Sequence, residues 1–225
     1  MESLLGIVAC DVIKTELIAA VGDRDVYLHF LPYSLHSTPQ EMGGKILEGI
    51  EVVRAQGARR LALGYGLCAN GVVGVGYDDG PLVMPRCHDC IAMLLGSPKR
   101  YFEMFRKLPG TYFLTDGWVR NDADPLSSVL IRYTPRLGEK KAFRGMSLEL
   151  ANYKAFCFVN NGVGDQEAIR ARTKENCQAF GKEYLEVKSD INYFHNLVAG
   201  PHSEDDFISL ASGQKIVNEY FYNII

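Results

Sequence analysis

Two stretches of this chain carry the side chains best suited to chemistry. Residues 81–96, PLVMPRCHDCIAMLLG, place Cys87, His88, Asp89 and Cys90 between an apolar run and a helix-like segment. Residues 64–76, GYGLCANGVVGVG, place Cys68 and Asn70 in a glycine-rich loop. Thiolates and imidazoles suit zinc, iron and other soft to borderline metals, whereas carboxylate-rich sites suit magnesium or calcium. The spacing His88-x-Cys90 is that of zinc enzymes that activate thiols, with a further thiolate supplied from elsewhere in the fold. Three protein ligands and an open position suit catalysis better than structure. Three thiolates could equally hold an iron–sulfur cluster with one open iron. A purely structural zinc would show two close Cys-x-x-Cys pairs, and Cys87-x-x-Cys90 has no second.

The elements that must position these groups alternate along the chain. Strand-like runs at 4–10, 25–32, 59–66, 81–85, 110–118, 154–162, 183–190 and 206–216 are separated by helix-like segments at 12–21, 38–57, 97–110, 165–181 and 191–200. Thr38 and Pro39 read as the cap and first residue of one helix. This alternation predicts an α/β fold, a mostly parallel sheet with helices on both faces. Residues 1–225 are expected to form a single α/β domain, with a possible seam between two lobes at 119–153, a less regular and mostly helical stretch.

In open parallel sheets, ligands bind outside the carboxyl ends of the strands. Cys10, Cys68 and the His88–Cys90 pair each follow a strand-like run, so three strand ends deliver thiols to one edge. His36, after the second strand, falls on that edge too. The expected metal ligands are therefore Cys10, Cys68, Cys90 and His88. His36 and Asp89 would orient them from outside the coordination sphere, with Asp89 capping the helix near Ile91. Gly66, Asn70 and Trp118 are the expected cofactor-contacting residues. The 64–76 loop lacks the Gly-Lys-Ser/Thr ending of a phosphate loop and the spacing of a dinucleotide loop. Lys215, after the last strand, is a weaker candidate for the same edge. Cys157 and Cys177 lie inside predicted elements and read as core thiols, Cys being among the most buried residue types. His195 and His202 read as surface residues.

The bulk composition narrows the field. Six cysteines in 225 residues do not suggest a disulfide framework, which belongs to oxidising compartments and small domains. A net charge of -3 gives no basic face for nucleic acid. The apolar runs are strand-sized, so no membrane span is expected. The amino terminus lacks the basic and apolar regions of a signal peptide, and a cytoplasmic location follows.

The runs LALGYGLCANG, PRCHDCIAMLLGS with YF following, PGTYFLTDGWVR, LPYSLHSTPQEM and DFISLASGQKI together resemble the prokaryotic domain of unknown function 1638 family. The resemblance covers nearly the whole chain. Its most specific parts are the glycine–cysteine loop and the His-Asp-Cys stretch, and the positions of Cys10, His36, Cys68, His88, Asp89 and Cys90 match it. Cys87 departs from it, a small non-thiol residue being more usual there. The resemblance implies an association with corrinoid-dependent methyltransferases of anaerobes, and hence one-carbon, corrinoid or thiol metabolism. It supplies no reaction.

The leading expectation is thus a metal-binding protein holding zinc, another transition metal or an iron–sulfur cluster. Its partners would be a small-molecule thiol, a methyl donor or a methyltransferase, and it could form a homo-oligomer. One alternative is a metal-free thiol enzyme with Cys68 or Cys90 as nucleophile and His88 as base. Another is a carrier that hands a metal or cluster to a methyltransferase.

Overall fold

A computed structural model describes residues 3–222. In chain order it contains β1 (Leu5–Cys10), α1 (Lys14–Val21), β2 (Val26–Leu31), α2 (Pro39–Ala55), β3 (Arg60–Gly64), β4 (Leu82–Pro85), α3 (Cys90–Leu94), α4 (Pro98–Lys107) and β5 (Thr111–Leu114). There follow α5 (Asp116–Arg120), α6 (Pro125–Ser127), a π-helical turn (Ser128–Tyr133), α7 (Thr134–Leu137), α8 (Glu139–Glu149), β6 (Ala155–Asn160), α9 (Gln166–Phe180), β7 (Glu183–Lys188), α10 (Asn192–Ala199) and β8 (Phe207–Leu210). The expected α/β class and the mostly parallel pairing are both present.

The chain divides into two compact units. One comprises the described residues through Arg100 together with those from Ile191 onward; the other is Tyr101–Asp190. The stretch 119–153 lies inside the second unit.

The first unit is built on a five-stranded sheet of order β2-β1-β3-β4-β8. β1 pairs in parallel with β2 and β3, and β3 with β4. Every residue of β1 is buried, as expected of a central strand covered on both faces. A side chain at Gly49 of α2 would lie 2.9 Å from Val8, so the even residues of β1 face α2. Ile13, at the start of α1, reaches the other face, where Ala9 and Gly64 meet. α10 packs there with α1.

β8 departs from the parallel pairing of the other strands in this sheet. It pairs antiparallel with β4, Leu82 opposite Leu210 and Pro85 opposite Phe207. It therefore runs away from the carboxyl edge and carries the exposed Lys215 off it. Lys215 bridges to Gly76 instead. Two smaller corrections concern polar groups. Thr38 occupies the cap position of α2 but makes no side-chain capping bond. His195 and His202 are half-buried rather than on the surface, each meeting a backbone carbonyl, Ala20 O at 3.1 Å and Leu197 O at 3.3 Å.

The second unit carries a parallel sheet of order β5-β6-β7. Its core gathers Leu114, Val129, Ala142, Met146, Leu150, Phe156 and Cys177, with Trp118 packed against them. Asp124, fully buried, caps α6 and accepts from Arg172 Nε and Asn176 Nδ2, tying α6 to α9.

Candidate functional site

β1 connects to β2 on one side of the sheet, and the chain then crosses over to β3 on the other. The topological switch point thus falls between β1 and β3, which is where open α/β sheets bind ligands, beyond the carboxyl ends. Cys10 is the last residue of β1. Tyr65 follows the last residue of β3 directly, and Cys68 lies three residues further on.

The loops carrying the other thiols are laced together. Leu67 N donates to Cys87 O at 2.8 Å and Cys68 N to His88 O at 2.9 Å. These bonds prolong the β3–β4 pairing past the strands. Gly66 permits the close approach, since a Cβ there would stand 2.9 Å from both Cys87 O and Asp89 N. Beyond it, Cys68, Ala69 and Asn70 all have left-handed backbones, at φ of 46°, 54° and 68°. Non-glycine residues rarely adopt this region, and such strain gathers at functional sites.

Cys10, Cys68, Cys87 and Cys90 are all buried, between 1% and 6% exposed. They share one electrostatic neighbourhood. Burial raises the Cys68 thiol to about 12, and Cys10 and Asp89 push it the same way. Cys90 lies well above its usual value, first through burial, then through Asp89, Cys68, Cys10 and Cys87. Cys87 is raised likewise, by burial and then by Cys68 and Asp89. Cys87, which departs from the family resemblance, is therefore a fourth thiol of this neighbourhood.

Tyr65 was not singled out by sequence reasoning. It is 1% exposed, and its hydroxyl finds no hydrogen-bond partner among the described residues. Burial raises its pKa, with smaller contributions from Cys10, Cys68, Asp11 and Cys90. A tyrosine at a strand end carries no signal of this in a sequence, because aromatic residues are ordinary in strands.

The polar residues flank the thiols. Asp89 is the N-cap of α3, its Oδ1 accepting from Ile91 N at 2.9 Å, as its position predicted. Asp89→Ala should lower stability by about 1 kcal/mol, read as a shift in the denaturation midpoint; an unchanged midpoint would remove this capping role. His88 is exposed while Cys87 and Cys90 on either side are buried. The imidazole thus reaches solvent where its two cysteine neighbours do not. His36 lies in the short 3₁₀ segment after β2, with Nδ1 2.9 Å from Tyr33 O. It presents surface to solvent, yet desolvation still lowers its pKa, opposed by the Asp89 carboxylate.

The remaining candidates sit elsewhere. Asn70 is exposed at the tip of the strained loop. Trp118 belongs to the core of the second unit. Cys157 is buried in β6 and Cys177 in α9, where its sulfur lies 3.3 Å from Glu183 O. A cavity of about 370 Å³ opens at the opposite, amino-end edge of the first unit, beside Leu5, Arg24, Val26 and Arg60. It contains none of the thiols.

Among the described residues, no three His, Cys, Asp or Glu side chains stand in the arrangement that a bound ion requires. The donor set is nonetheless of the kind soft metals take. Four buried thiols follow three strand ends, and among the described residues the buried hydroxyl of Tyr65 lacks a partner.

The fold is that of an α/β protein with a mostly parallel sheet, and four buried thiols lie at or beyond the carboxyl ends of its first, third and fourth strands. The chain belongs to the family described as Protein of unknown function (DUF1638), whose profile matches residues 30–198. Comparison with curated proteins gives no match, and neither does comparison with solved structures. Among the described residues, no helix is long and apolar enough to cross a membrane.

Proposed function

We propose that this chain binds a soft transition metal or an iron–sulfur cluster through thiolates of Cys10, Cys68 and Cys90, with Cys87 as a fourth available sulfur. One observation carries the reading: thiols from the carboxyl ends of β1, β3 and β4 meet in one buried neighbourhood beside the switch point. Loading requires these side chains to turn towards a common centre, a rotation about their χ1 bonds. Thiols held this far above the usual range are poor nucleophiles in the absence of a metal. This weighs against the metal-free enzyme, as does the exposure of His88, its proposed base.

Each part of the chain then has a task. The Gly66 contact and the two backbone bonds to the 87–88 segment hold the Cys68 and Cys90 loops at a fixed spacing. Asp89 fixes the turn from which Cys90 projects. The buried walls exclude water. His88 stands at the solvent side, where it can meet an incoming small-molecule thiol or methyl donor. When bound, a soft metal here would act as a Lewis acid that lowers a substrate thiol's pKa.

The deciding experiment is elemental analysis of anaerobically purified protein, together with its absorption spectrum. Near-stoichiometric metal with thiolate charge-transfer absorption supports the reading. A metal-free protein that also fails to take up zinc, cobalt or iron under anaerobic conditions overturns it. Cys157→Ala and Cys177→Ala should retain wild-type metal content, since both thiols belong to the second unit. Loss of metal from either variant with its fold intact would relocate the site.

A further inference from the structure

The hydroxyl of Tyr65 finds no hydrogen-bond partner among the described residues. Its oxygen is buried and unpartnered, and a buried polar group left unsatisfied lowers stability. Its location follows from the strand register. Ala9 pairs with Gly64, so the next residues along, Cys10 and Tyr65, lie side by side on neighbouring strands, about 4.8 Å apart in the pairing direction. A side chain at Gly64 would touch Ala9, so those two share one face, and alternation puts Cys10 and Tyr65 together on the other. Cys10 is 2% exposed and Tyr65 1%. The tyrosine ring therefore stands beside Cys10, and its buried O–H shares the electrostatic neighbourhood of Cys10, Cys68 and Cys90.

A neutral thiol is a weak hydrogen-bond acceptor, whereas a thiolate is a strong one. We propose that Tyr65 is a positioning residue of the thiol site, whose enclosed hydroxyl donates to a metal-bound thiolate, that of Cys10 foremost, once the site is loaded. The inference rests on the metal reading above. As each metal–sulfur bond forms, the ligating thiol releases its proton to solvent. Tyr65 keeps its own proton and shares it with the sulfur. The donor is thus already built before the metal arrives, and the cost of its isolation falls on the metal-free state alone.

This gives the two states opposite responses to one change. Tyr65→Phe removes only the oxygen and leaves the ring in place. The metal-free variant should melt at a higher temperature than metal-free wild type, because the unsatisfied hydroxyl is gone. Its zinc and cobalt(II) affinity, measured by competition with a chelator, should fall by about 10–100-fold, the usual cost of losing a hydrogen bond to a metal ligand. The charge-transfer band of the cobalt(II) form should also move, since a thiolate that loses a donor is the better electron source. A tyrosine that only fills space would change neither affinity nor band.

If wild type binds cobalt(II) and the variant binds it equally well with an unmoved band, the inference falls and the metal reading stands. If wild type binds neither zinc nor cobalt(II), the metal reading falls and takes the inference with it. A metal-free Tyr65→Phe protein that melts lower than wild type would show that the hydroxyl already had a partner, and would also overturn the inference.

Discussion

Replacing Cys68 or Cys90 with serine should leave anaerobically purified protein with little or no bound metal. The loss in affinity should exceed the ~10–100-fold that changes around a metal's ligands commonly cost, because a ligand itself is removed. Serine nearly preserves volume, so the fold should survive. Cys68 carries a second expectation. Its left-handed backbone and its N–H bond to His88 O belong to the main chain and persist in the variant. Serine at 68 should therefore retain the wild-type far-ultraviolet spectrum while losing metal. The check is metal content and circular dichroism measured on the same sample. Full metal content in both variants would exclude these two sulfurs as ligands.

The largest effect on stability should come from Arg172→Ala in the second unit. Asp124 is fully buried and takes both carboxylate oxygens to Arg172 Nε at 3.2 Å. Removing the guanidinium leaves a buried carboxylate without its counter-charge, a loss of ~3–5 kcal/mol. Asn176 Nδ2, 2.7 Å from Asp124 Oδ1, and the Ser127 hydroxyl remain and soften the loss. Arg172 also meets Glu175, which is 56% exposed, and an exposed pair of this kind contributes ~0–1 kcal/mol. Glu175→Ala is therefore the matched control. Denaturant unfolding of the two variants separates these contributions. Equal, small losses in both would mean that the Asp124 carboxylate does not depend on its arginine.

The candidate thiols and their strand ends are legible in the order of residue types. Apolar runs ending in Cys10, before Cys68 and before Cys90 mark strand ends, and the carboxyl-end rule brings such ends to one edge. The Asp89 cap was equally legible, because a short acidic side chain before an apolar helical run has one common use. Other features leave no local trace. The direction of β8 is set by its pairing with β4, and an apolar run reads the same either way, so the sequence leaves Lys215 a weak candidate for an edge from which β8 carries it away. The spacing of His88 and Cys90 places them at one centre, and it carries no sign that the first is exposed and the second buried. Trp118 follows a strand end as the site residues do, yet its ring serves the core of another unit. The boundary between the units falls at residues 100–101, within α4. An uninterrupted helix shows none of the glycine, proline or serine enrichment by which linkers are recognised. Cys87 looked like a departure from the family resemblance, and only its burial reveals that it joins the other sulfurs.

The first unit is discontinuous along the chain, interrupted by Tyr101–Asp190. During synthesis β1 to β4 emerge early, with all four clustered thiols, while α10 and β8 emerge last. Tyr193 of α10, which lies near Cys87, and Phe207 of β8, stacked on it with ring centres 4.9 Å apart, both belong to that final segment. The sulfurs therefore spend the translation of about ninety intervening residues without their final cover, a delay of several seconds at typical elongation rates. Over that interval the four neighbouring thiols are open to pairing with one another wherever an oxidant is present, and the last strand has yet to close the sheet.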